Sequence, residues 1–156
     1  MTEITLKCGA TVLVDDEDVQ LLHRWTWKLN HKGYVVAFIG NKMVRLHRLI
    51  VDAPADLQVD HINGDPLDNR RSNLRLATAL QNHANQRGCA NTTSRHRGVH
   101  WVAAKGRWRA RIGQGKGTSA RHLGYFDTED AAAAAWDHAA RELWGDYARL
   151  NTSTPG

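Results

Sequence analysis

An aspartate and a histidine stand side by side after a short apolar run, and further polar side chains follow them. The pair is Asp60 and His61, and the turn-rich residues 63–66 come next. A neutral histidine can take a proton from water, whereas carboxylate and amide oxygens are the ligands that Mg²⁺ prefers in proteins. With Asn82 further along the chain as an amide ligand, these residue types predict metal-assisted hydrolysis of a phosphodiester.

The residues before this pair predict the strand that positions it. Residues 57–59 favour a short strand that delivers Asp60 and His61. Adjacent side chains of a strand point to opposite faces, so the two side chains diverge unless the strand ends there. The turn-forming residues 63–66 indicate that it does end there.

A second strand and a helix are predicted next. Residues 73–76 favour a short strand or an extended segment. Thr78 is a suitable N-cap, and the residues after it, including Asn82 and His83, favour a helix. Gly88 is a suitable residue to end that helix.

Residues 1–55 predict a small α+β unit. Alternating apolar residues, turn formers and an acidic helix start predict, in order, a hairpin over 3–14, a helix over about 16–24, two strands around the turn 30–33, and a third strand leading into a helical turn at 47–50. Trp25, Trp27 and Tyr34 also lie in this unit. Such side chains are core residues more often than stacking platforms for nucleic acid, so a core position is favoured and stacking is the alternative.

The composition changes after the small, polar residues 89–93, which are predicted to link two modules. From 94 to 126 there is no acidic residue, and three strands are predicted. In the middle strand Arg107, Arg109 and Arg111 alternate with apolar residues, so the arginines share one face and the apolar side chains form a core face. A row of guanidinium groups repels itself unless an anion neutralises it.

A helix is predicted after the third of these strands. Residues 127–130 supply a carboxylate cap and an acidic first turn. The alanine run 131–135 favours a helix, and Trp136 and Leu143 indicate that it packs on the sheet. Gly145 is a suitable end for it.

The totals limit the class of protein. The chain of 156 residues has a net charge of +5, which favours a polyanionic partner, although a merely basic soluble protein would show it too. The two cysteines, Cys8 and Cys89, are far apart, which argues against a disulfide framework or a zinc knuckle and fits a reducing compartment. With no signal peptide and no apolar run near the ~20 residues of a membrane span, the sequence predicts a cytoplasmic protein that does not enter a membrane.

The string from Asp60 to Arg75, followed by Asn82 and Asn85, resembles HNH homing-type endonucleases, which are widespread in bacteriophages and have the ββα-metal fold. The resemblance is close over residues 42–87. It implies the following roles: His61 as general base, Asp60 as a metal ligand, Asn73 as the residue that braces the metal-binding loop, and Asn82 as the second metal ligand, with Asn85 as the alternative. It also implies Mg²⁺ or another divalent cation such as Mn²⁺, and cleavage that leaves 5′-phosphate and 3′-hydroxyl ends.

Four further residues near this string have two interpretations each. His47 lies where relatives also place a histidine, and a structural hydrogen bond is favoured over a catalytic role. Arg70, Arg71 and Arg75 are either phosphate contacts or solvated surface charges.

Residues 94–151 resemble a second family, the apetala-two/ethylene-response-factor DNA-binding domain. The resemblance is carried by the segments Arg97–Trp101, Trp108–Ile112 and Leu123–Thr128, the alanine helix, and Ala148–Asn151. It implies a three-stranded antiparallel sheet that lies in the DNA major groove, packed on one helix, with Trp108 on the core face. The implied DNA-contacting residues are Arg97, His100, Lys105, Arg107, Arg109, Arg111 and Arg121. The plant proteins usually carry arginine where this chain has His100, so the plant target sequence is not expected.

Together these patterns predict an α+β protein with two modules. The expected organisation is an HNH endonuclease domain over 1–88, with its ββα-metal core at about 42–87 and a small N-terminal α+β part, a linker at 89–93, and a DNA-binding domain over 94–151. The predicted function is a metal-dependent DNA endonuclease that nicks or cuts double-stranded DNA. We expect a monomer without a small-molecule cofactor, located in the host-cell cytoplasm if a phage encodes it. The alternative is a non-catalytic, sequence-specific DNA-binding regulator with a vestigial nuclease site.

Overall fold

A computed structural model describes residues 1–85, 93–113 and 118–152 of the chain. It has mixed α and β structure with several small antiparallel sheets, which confirms the predicted α+β class. The chain divides into two compact units, Met1–Ala79 and Leu80–Gly156. None of the helices in the described ranges has both the length and the apolar composition that a membrane crossing requires.

The first unit consists of three small antiparallel sheets and short helices. In chain order its elements are β1 (Thr2–Thr5), β2 (Thr11–Val14), a 3₁₀ turn (Asp16–Asp18), α1 (Val19–Arg24), β3 (Lys28–Leu29), β4 (Val35–Ile39), β5 (Lys42–Arg45), α2 (Leu46–Ile50), β6 (Gln58–His61), a 3₁₀ turn (Arg71–Asn73) and β7 (Leu74–Ala77). The sheets are β1–β2, β3–β4–β5 and β6–β7. Helix α3 (Ala79–Asn85) follows β7 directly, which gives the strand–strand–helix order expected for a ββα core.

The second unit is a three-stranded sheet with one long helix. Its elements after α3 are β8 (Val99–Val102), a 3₁₀ turn (Ala103–Lys105), β9 (Arg107–Ile112), β10 (Arg121–Phe126), α4 (Glu129–Trp144) and a 3₁₀ turn (Gly145–Tyr147). The antiparallel strand order is β10–β9–β8. These elements fall where the alternating and helical patterns place them.

The core of the first unit collects the apolar faces of the hairpin, the central sheet and α2. Its fully buried members include Val12, Val14, Val35 and Leu46. Trp27 is buried beside them, and its indole nitrogen donates a 3.0 Å hydrogen bond to the carbonyl oxygen of Leu21. Trp25 is half-buried against the same cluster. The two tryptophans are therefore core residues, as favoured from the sequence. The hydrogen bond of Trp27 supplies the partner that a buried indole N–H needs.

The N-terminal hairpin holds the loop that follows β6. The backbone nitrogen of Leu13 donates a hydrogen bond to the carbonyl oxygen of Leu67 at 2.9 Å. The backbone nitrogen of Asn69 donates one to the carbonyl oxygen of Leu13 at 2.8 Å. The side chain of Arg71 reaches back to Asp18, with two nitrogens 2.9 and 2.7 Å from its carboxylate oxygens. Residues distant in sequence thus fix the loop between β6 and β7.

In the second unit α4 packs on the apolar face of the sheet. Ala132 and Ala133 are fully buried against Val99 and Ala110, because their small side chains permit close approach of the helix. Trp108 packs against this cluster, which places it on the core side of β9, as the resemblance implied.

The ends of α4 follow ordinary capping rules, with one difference from expectation. The cap is the hydroxyl of Thr128, which accepts a 3.1 Å hydrogen bond from the backbone nitrogen of Ala131, rather than a carboxylate. The carboxylate of Glu129 instead accepts a 2.6 Å hydrogen bond from the Ser94 hydroxyl. Gly145 ends the helix with a φ of 52°, a left-handed conformation that favours glycine.

The division between the two compact units falls within α3, whereas the sequence predicts a linker at 89–93. All but the first residue of α3 belongs to the second unit. The reason is packing: Ala84 is fully buried in a cluster with Ile112, Trp136 and Trp144. Gly88, most of the predicted linker 89–93, and the turn residues 114–117 lie outside the described residues.

Candidate functional site

His61 is the last residue of β6 and is enclosed by two other rings. It is 5% exposed. The Tyr34 ring is stacked on the imidazole with centroids 6.1 Å apart, and the His47 ring is nearly perpendicular to it with centroids 5.0 Å apart. Because the strand ends at His61, its side chain is released from strict alternation, as the sequence indicated.

The environment of His61 keeps its imidazole neutral. Burial lowers the pKa of His61 from its ordinary value of 6.5. An interaction with the Asn69 side chain, followed by the charges of Asp60, Asp65 and Asp68, acts in the opposite direction but is the smaller effect. A neutral imidazole at neutral pH can accept a proton, which is what a general base requires.

His47 is also held neutral. Burial is the largest cause, and the neighbouring His61, Arg45 and Arg48 add to it, so the pKa of His47 falls to about 3. Among the described residues none forms a hydrogen bond with its Nδ1 atom, which is buried. His47 thus contacts His61 in an edge-to-face arrangement, and the structural hydrogen bond expected from the sequence stays a prediction.

Asp60 points away from His61 and toward β7. It is directly opposite Arg75 in the strand register, and Nε and a terminal nitrogen of Arg75 lie 2.9 and 2.8 Å from its Oδ2 atom. The carboxylate is 5% exposed, and a buried charge of this kind needs a counter-charge. Asp60 and His61 therefore leave the same strand end in different directions.

Asn73 connects the two sides of the loop after β6. Its side-chain nitrogen donates to the side-chain oxygen of Asn63 at 3.0 Å and to the carbonyl oxygen of Asp68 at 2.8 Å. Its side-chain oxygen accepts a 3.0 Å hydrogen bond from the backbone nitrogen of Asn63. These are the contacts of a residue that braces the loop.

The arginines of this segment all pair with carboxylates. Arg70 donates to the two oxygens of Asp68 at 2.7 and 2.6 Å, and this contact is the main reason why the pKa of Asp68 lies below its ordinary value. Arg71 pairs with Asp18 at 2.7 Å, and Arg75 pairs with Asp60 as described. A structural role, in which these arginines neutralise carboxylates of the protein, is thus favoured over contacts with DNA phosphates.

The two candidate amides on α3 differ in exposure. Asn82 is half-buried, and Asn85 is 8% exposed. Both belong to the second unit, and neither is without an interaction. Within the described ranges no cluster of three or more His, Cys, Asp and Glu side chains is suited to a metal ion. One carboxylate and one amide oxygen still suit Mg²⁺, since it prefers oxygen ligands and retains several waters.

The arginine row of the second unit lies on the face opposite α4. Arg109 stands between His100 and Tyr125 in the strand register. Burial, then the charges of Arg111 and Arg109, lowers the pKa of His100. Two further cations make exposed contacts: Arg107 with Asp127 at 3.1 Å, and Lys105 over the Tyr125 ring at 4.0 Å. Arg121 is instead opposite the core residue Ile112 in the register, and its exposed contact is with Glu142 of α4 at 3.4 Å. Such exposed pairs contribute little stability, so a phosphate can replace them.

Arg97 differs from the other predicted DNA contacts. Its guanidinium donates to the carbonyl oxygens of Ala84 at 2.6 Å and His83 at 3.1 Å. It also lies 5.2 Å from the ring centre of Trp136 and 5.7 Å from that of Trp144. Arg97 therefore holds the last turn of α3, and its proposed contact with DNA has to be compatible with this role.

The roles of Asn69 and Tyr34 at His61 were not evident from the sequence. Asn69 is fully buried, with its side-chain nitrogen 3.1 Å from the carbonyl oxygen of Pro66. The sequence signal for a buried role of Asn69 was the density of polar residues around Asp68, which is higher than a surface turn requires.

Comparisons with known proteins agree with this geometry. A family model described as HNH endonuclease matches residues 44–84. "Protein 3.8" of Escherichia phage T7 is 32% identical over 99 residues, covering 62% of this chain and 78% of that protein. An ethylene-responsive transcription factor of Arabidopsis thaliana is 42% identical over 64 residues in the C-terminal region, which covers 41% of this chain and 15% of the factor.

One viral relative extends over most of the chain. An uncharacterised HNH endonuclease of Acanthamoeba polyphaga mimivirus is 32% identical over 149 residues, covering 92% of this chain and 75% of the viral protein. No solved structure matches the chain. The motif and this extended similarity show that the chain belongs to the HNH endonuclease family.

Proposed function

We propose that this nuclease hydrolyses phosphodiester bonds of double-stranded DNA, with His61 as the general base and a divalent cation as cofactor. The observation that carries the proposal is the environment of His61. Its ring lies at a strand end between Tyr34 and His47, and burial lowers its pKa below 6.5. A base of this kind is already deprotonated at neutral pH, so it is ready to act on water.

In the proposed reaction His61 accepts a proton from the attacking water. The water oxygen forms a bond to phosphorus while the bond from phosphorus to the 3′ oxygen breaks, and the leaving 3′ oxygen takes up a proton from solvent. The products are a 5′-phosphate and a 3′-hydroxyl, as in the family. Tyr34 and His47 keep the imidazole in one orientation, which reduces the entropy lost on reaching the transition state.

Asp60 and Asn82 are the proposed ligands of Mg²⁺ or Mn²⁺, with Asn85 as the alternative to Asn82. When bound, the cation would supply charge stabilisation for the phosphate and the leaving oxygen. Arg75 orients the carboxylate of Asp60 through its contacts with Oδ2. Asn73 fixes the loop that follows His61, through Asn63.

The second unit is the proposed DNA-binding module. Its arginine row lies opposite the core face of the sheet, and its partial similarity to plant transcription factors supports the assignment. The proposed contacts are Arg97, His100, Lys105, Arg107, Arg109, Arg111 and Arg121. Phosphate contacts from such residues would place the duplex, and contacts to base edges would select a sequence.

A plasmid assay tests this function and separates it from a non-catalytic regulator. Supercoiled plasmid is incubated with the full chain and Mg²⁺ or Mn²⁺, or with EDTA. We expect nicked or linear DNA with the metals and none with EDTA. DNA ligase should reseal the nicks, because ligase requires a 5′-phosphate next to a 3′-hydroxyl. Binding without cleavage under either metal would instead support the regulator.

A further inference from the structure

Positive charge is segregated within the first unit. Residues 1–79 contain ten lysines and arginines and ten aspartates and glutamates, so their formal net charge is zero. Nevertheless residues 19–51 contain no acidic residue and six of those ten basic residues. The basic residues of this stretch are Arg24, Lys28, Lys32, Lys42, Arg45 and Arg48. A neutral unit can therefore still present a strongly cationic surface.

In the described part of the chain none of these six cations forms an ion pair with a carboxylate. Arg70, Arg71 and Arg75 take up carboxylates of this unit. Among the described residues Lys28 and Arg45 form no ion pair, and their contacts are with aromatic rings. Lys28 Nζ lies 5.2 Å from the centre of the Phe38 ring, and the Arg45 guanidinium lies 5.9 Å from that of Tyr34. Both side chains are exposed.

The strand register places these cations on one face with an apolar pair. Lys28 is opposite Val36, which is opposite Arg45, and Phe38 is opposite Met43. Directly paired residues and residues two apart share a face of a sheet. We call the side chains of Lys28, Val36, Phe38, Met43 and Arg45 the β3–β5 face. The other face, with Val35 and Ala37, belongs to the core of the unit.

The apolar pair on the β3–β5 face is unusually open. Phe38 is 58% exposed and Met43 is 51% exposed, whereas Val36 on the same face is fully buried. An exposed aromatic side chain and an exposed thioether side by side, flanked by cations, form a surface that suits a polyanion with apolar parts. The sugars and base edges of a DNA groove provide such parts between two rows of phosphates.

The β3–β5 face also leads to the proposed base. Arg45 lies over the ring of Tyr34, and Tyr34 is stacked on His61 with centroids 6.1 Å apart. A duplex that extends from a phosphate at His61 over Tyr34 would thus reach Arg45 and then Phe38. Arg45 and Phe38 were not among the DNA contacts expected from the sequence.

We propose that the β3–β5 face is a second DNA-binding surface, located in the nuclease unit itself. Lys28 and Arg45 contact phosphates, and Phe38 and Met43 lie against the sugars and base edges of a groove. This inference rests on the proposed function, since it gives the nuclease unit further contacts with the DNA that it is proposed to cut. Charge complementarity favours DNA over a protein partner or a second copy of the chain.

The salt dependence of binding tests the face. Affinity of the full chain for a fluorescent duplex is measured in EDTA, so that no cleavage occurs, over a series of salt concentrations. Each phosphate contact contributes about −0.9 to the slope of log affinity against log salt. We expect Lys28→Gln and Arg45→Gln each to reduce the slope by about that amount and to lower the affinity about three- to tenfold. Lys7→Gln, at an exposed lysine elsewhere in the same unit, is the matched control and should leave both unchanged.

Phe38→Ala tests the apolar part separately. It should lower the affinity without changing the salt slope, because it removes no charge. Lys28→Arg should restore the binding lost in Lys28→Gln, which excludes a general folding defect. The proposal is overturned if the face variants bind like Lys7→Gln while the wild type still cuts. It is equally overturned if Phe38→Ala changes only the oligomeric state in sedimentation. A wild type that neither binds nor cuts DNA would contradict the proposed function itself.

Discussion

Arg75 and Asp60 face each other across the β6–β7 pair, and two nitrogens of the guanidinium lie 2.9 and 2.8 Å from one oxygen of the carboxylate. The carboxylate is almost fully buried and the arginine is mostly so. The proposed metal ligand therefore has a built-in counter-charge. This arrangement orients Asp60, and it also compensates the cost of burying its charge.

Removal of Arg75 should destabilise the metal-free protein. Arg75→Ala leaves a buried carboxylate without its partner, so we expect a loss of about 3 kcal/mol in the free energy of unfolding. Added Mg²⁺ should recover part of that loss in the variant but stabilise the wild type less, because the cation replaces the missing charge. Thermal unfolding with and without Mg²⁺ measures this. Equal Mg²⁺ effects on the two proteins would argue against Asp60 as a metal ligand.

Stability should fall on mild acidification because of His47. Its pKa is about 3 in the folded protein and about 6.5 when unfolded. The unfolded chain therefore takes up a proton first, so the contribution is complete above pH 6.5 and declines as the pH falls toward 3. Between pH 7 and pH 5 the expected loss is about 2 kcal/mol. Urea titrations of the wild type and His47→Gln check it, since the variant should lack that part of the pH dependence; parallel curves would contradict it.

The arginine row of the second unit should carry phosphate contacts. The double variant Arg109→Gln with Arg111→Gln should lose two phosphate contacts. The slope of log affinity against log salt concentration should then become less steep by roughly 1.8. Arg141→Gln changes an exposed arginine on α4 and serves as the control with an unchanged slope. Fluorescence anisotropy in EDTA gives both values. A slope reduced as much by the control as by the double variant would show a general charge effect only.

Helix α3 should depend on Arg97. The helix has seven residues, too few to be stable alone in water, and Arg97 bonds to its last carbonyl oxygens. Arg97→Ala should therefore speed hydrogen exchange of the backbone amides near the end of α3. It should also lower metal-dependent cleavage about tenfold, because the proposed ligand Asn82 lies on this helix. Arg95→Ala alters a neighbouring arginine that is 75% exposed and should do neither. Normal cleavage by Arg97→Ala would count against Asn82.

The sequence was informative wherever local pattern determines structure. Alternation identified the strands, and it placed Arg107, Arg109 and Arg111 opposite the core face. Turn-forming residues indicated that β6 ends at His61. These features depend on neighbours within a few residues, so they can be inferred without knowledge of the topology.

Contacts between distant residues could not be inferred in the same way. Arg71 pairs with Asp18, 53 residues away, and nothing in the local sequence distinguishes this pair from other charge pairs. The packing of Ala84 against Trp136 likewise depends on how the second unit folds around α3. For the same reason the sequence predicted only a DNA contact for Arg97. Its guanidinium also donates a hydrogen bond to the end of α3.

The rate of DNA cleavage by His61→Ala tests the central claim most directly. Single-turnover cleavage of plasmid with Mg²⁺ is compared among the wild type, His61→Ala and His31→Ala. The last variant makes the same change at an exposed histidine of the same unit. Loss of a general base should slow His61→Ala at least about 100-fold, while His31→Ala cuts like the wild type and both variants bind the plasmid normally. A cleavage rate of His61→Ala within threefold of the wild type would contradict the account.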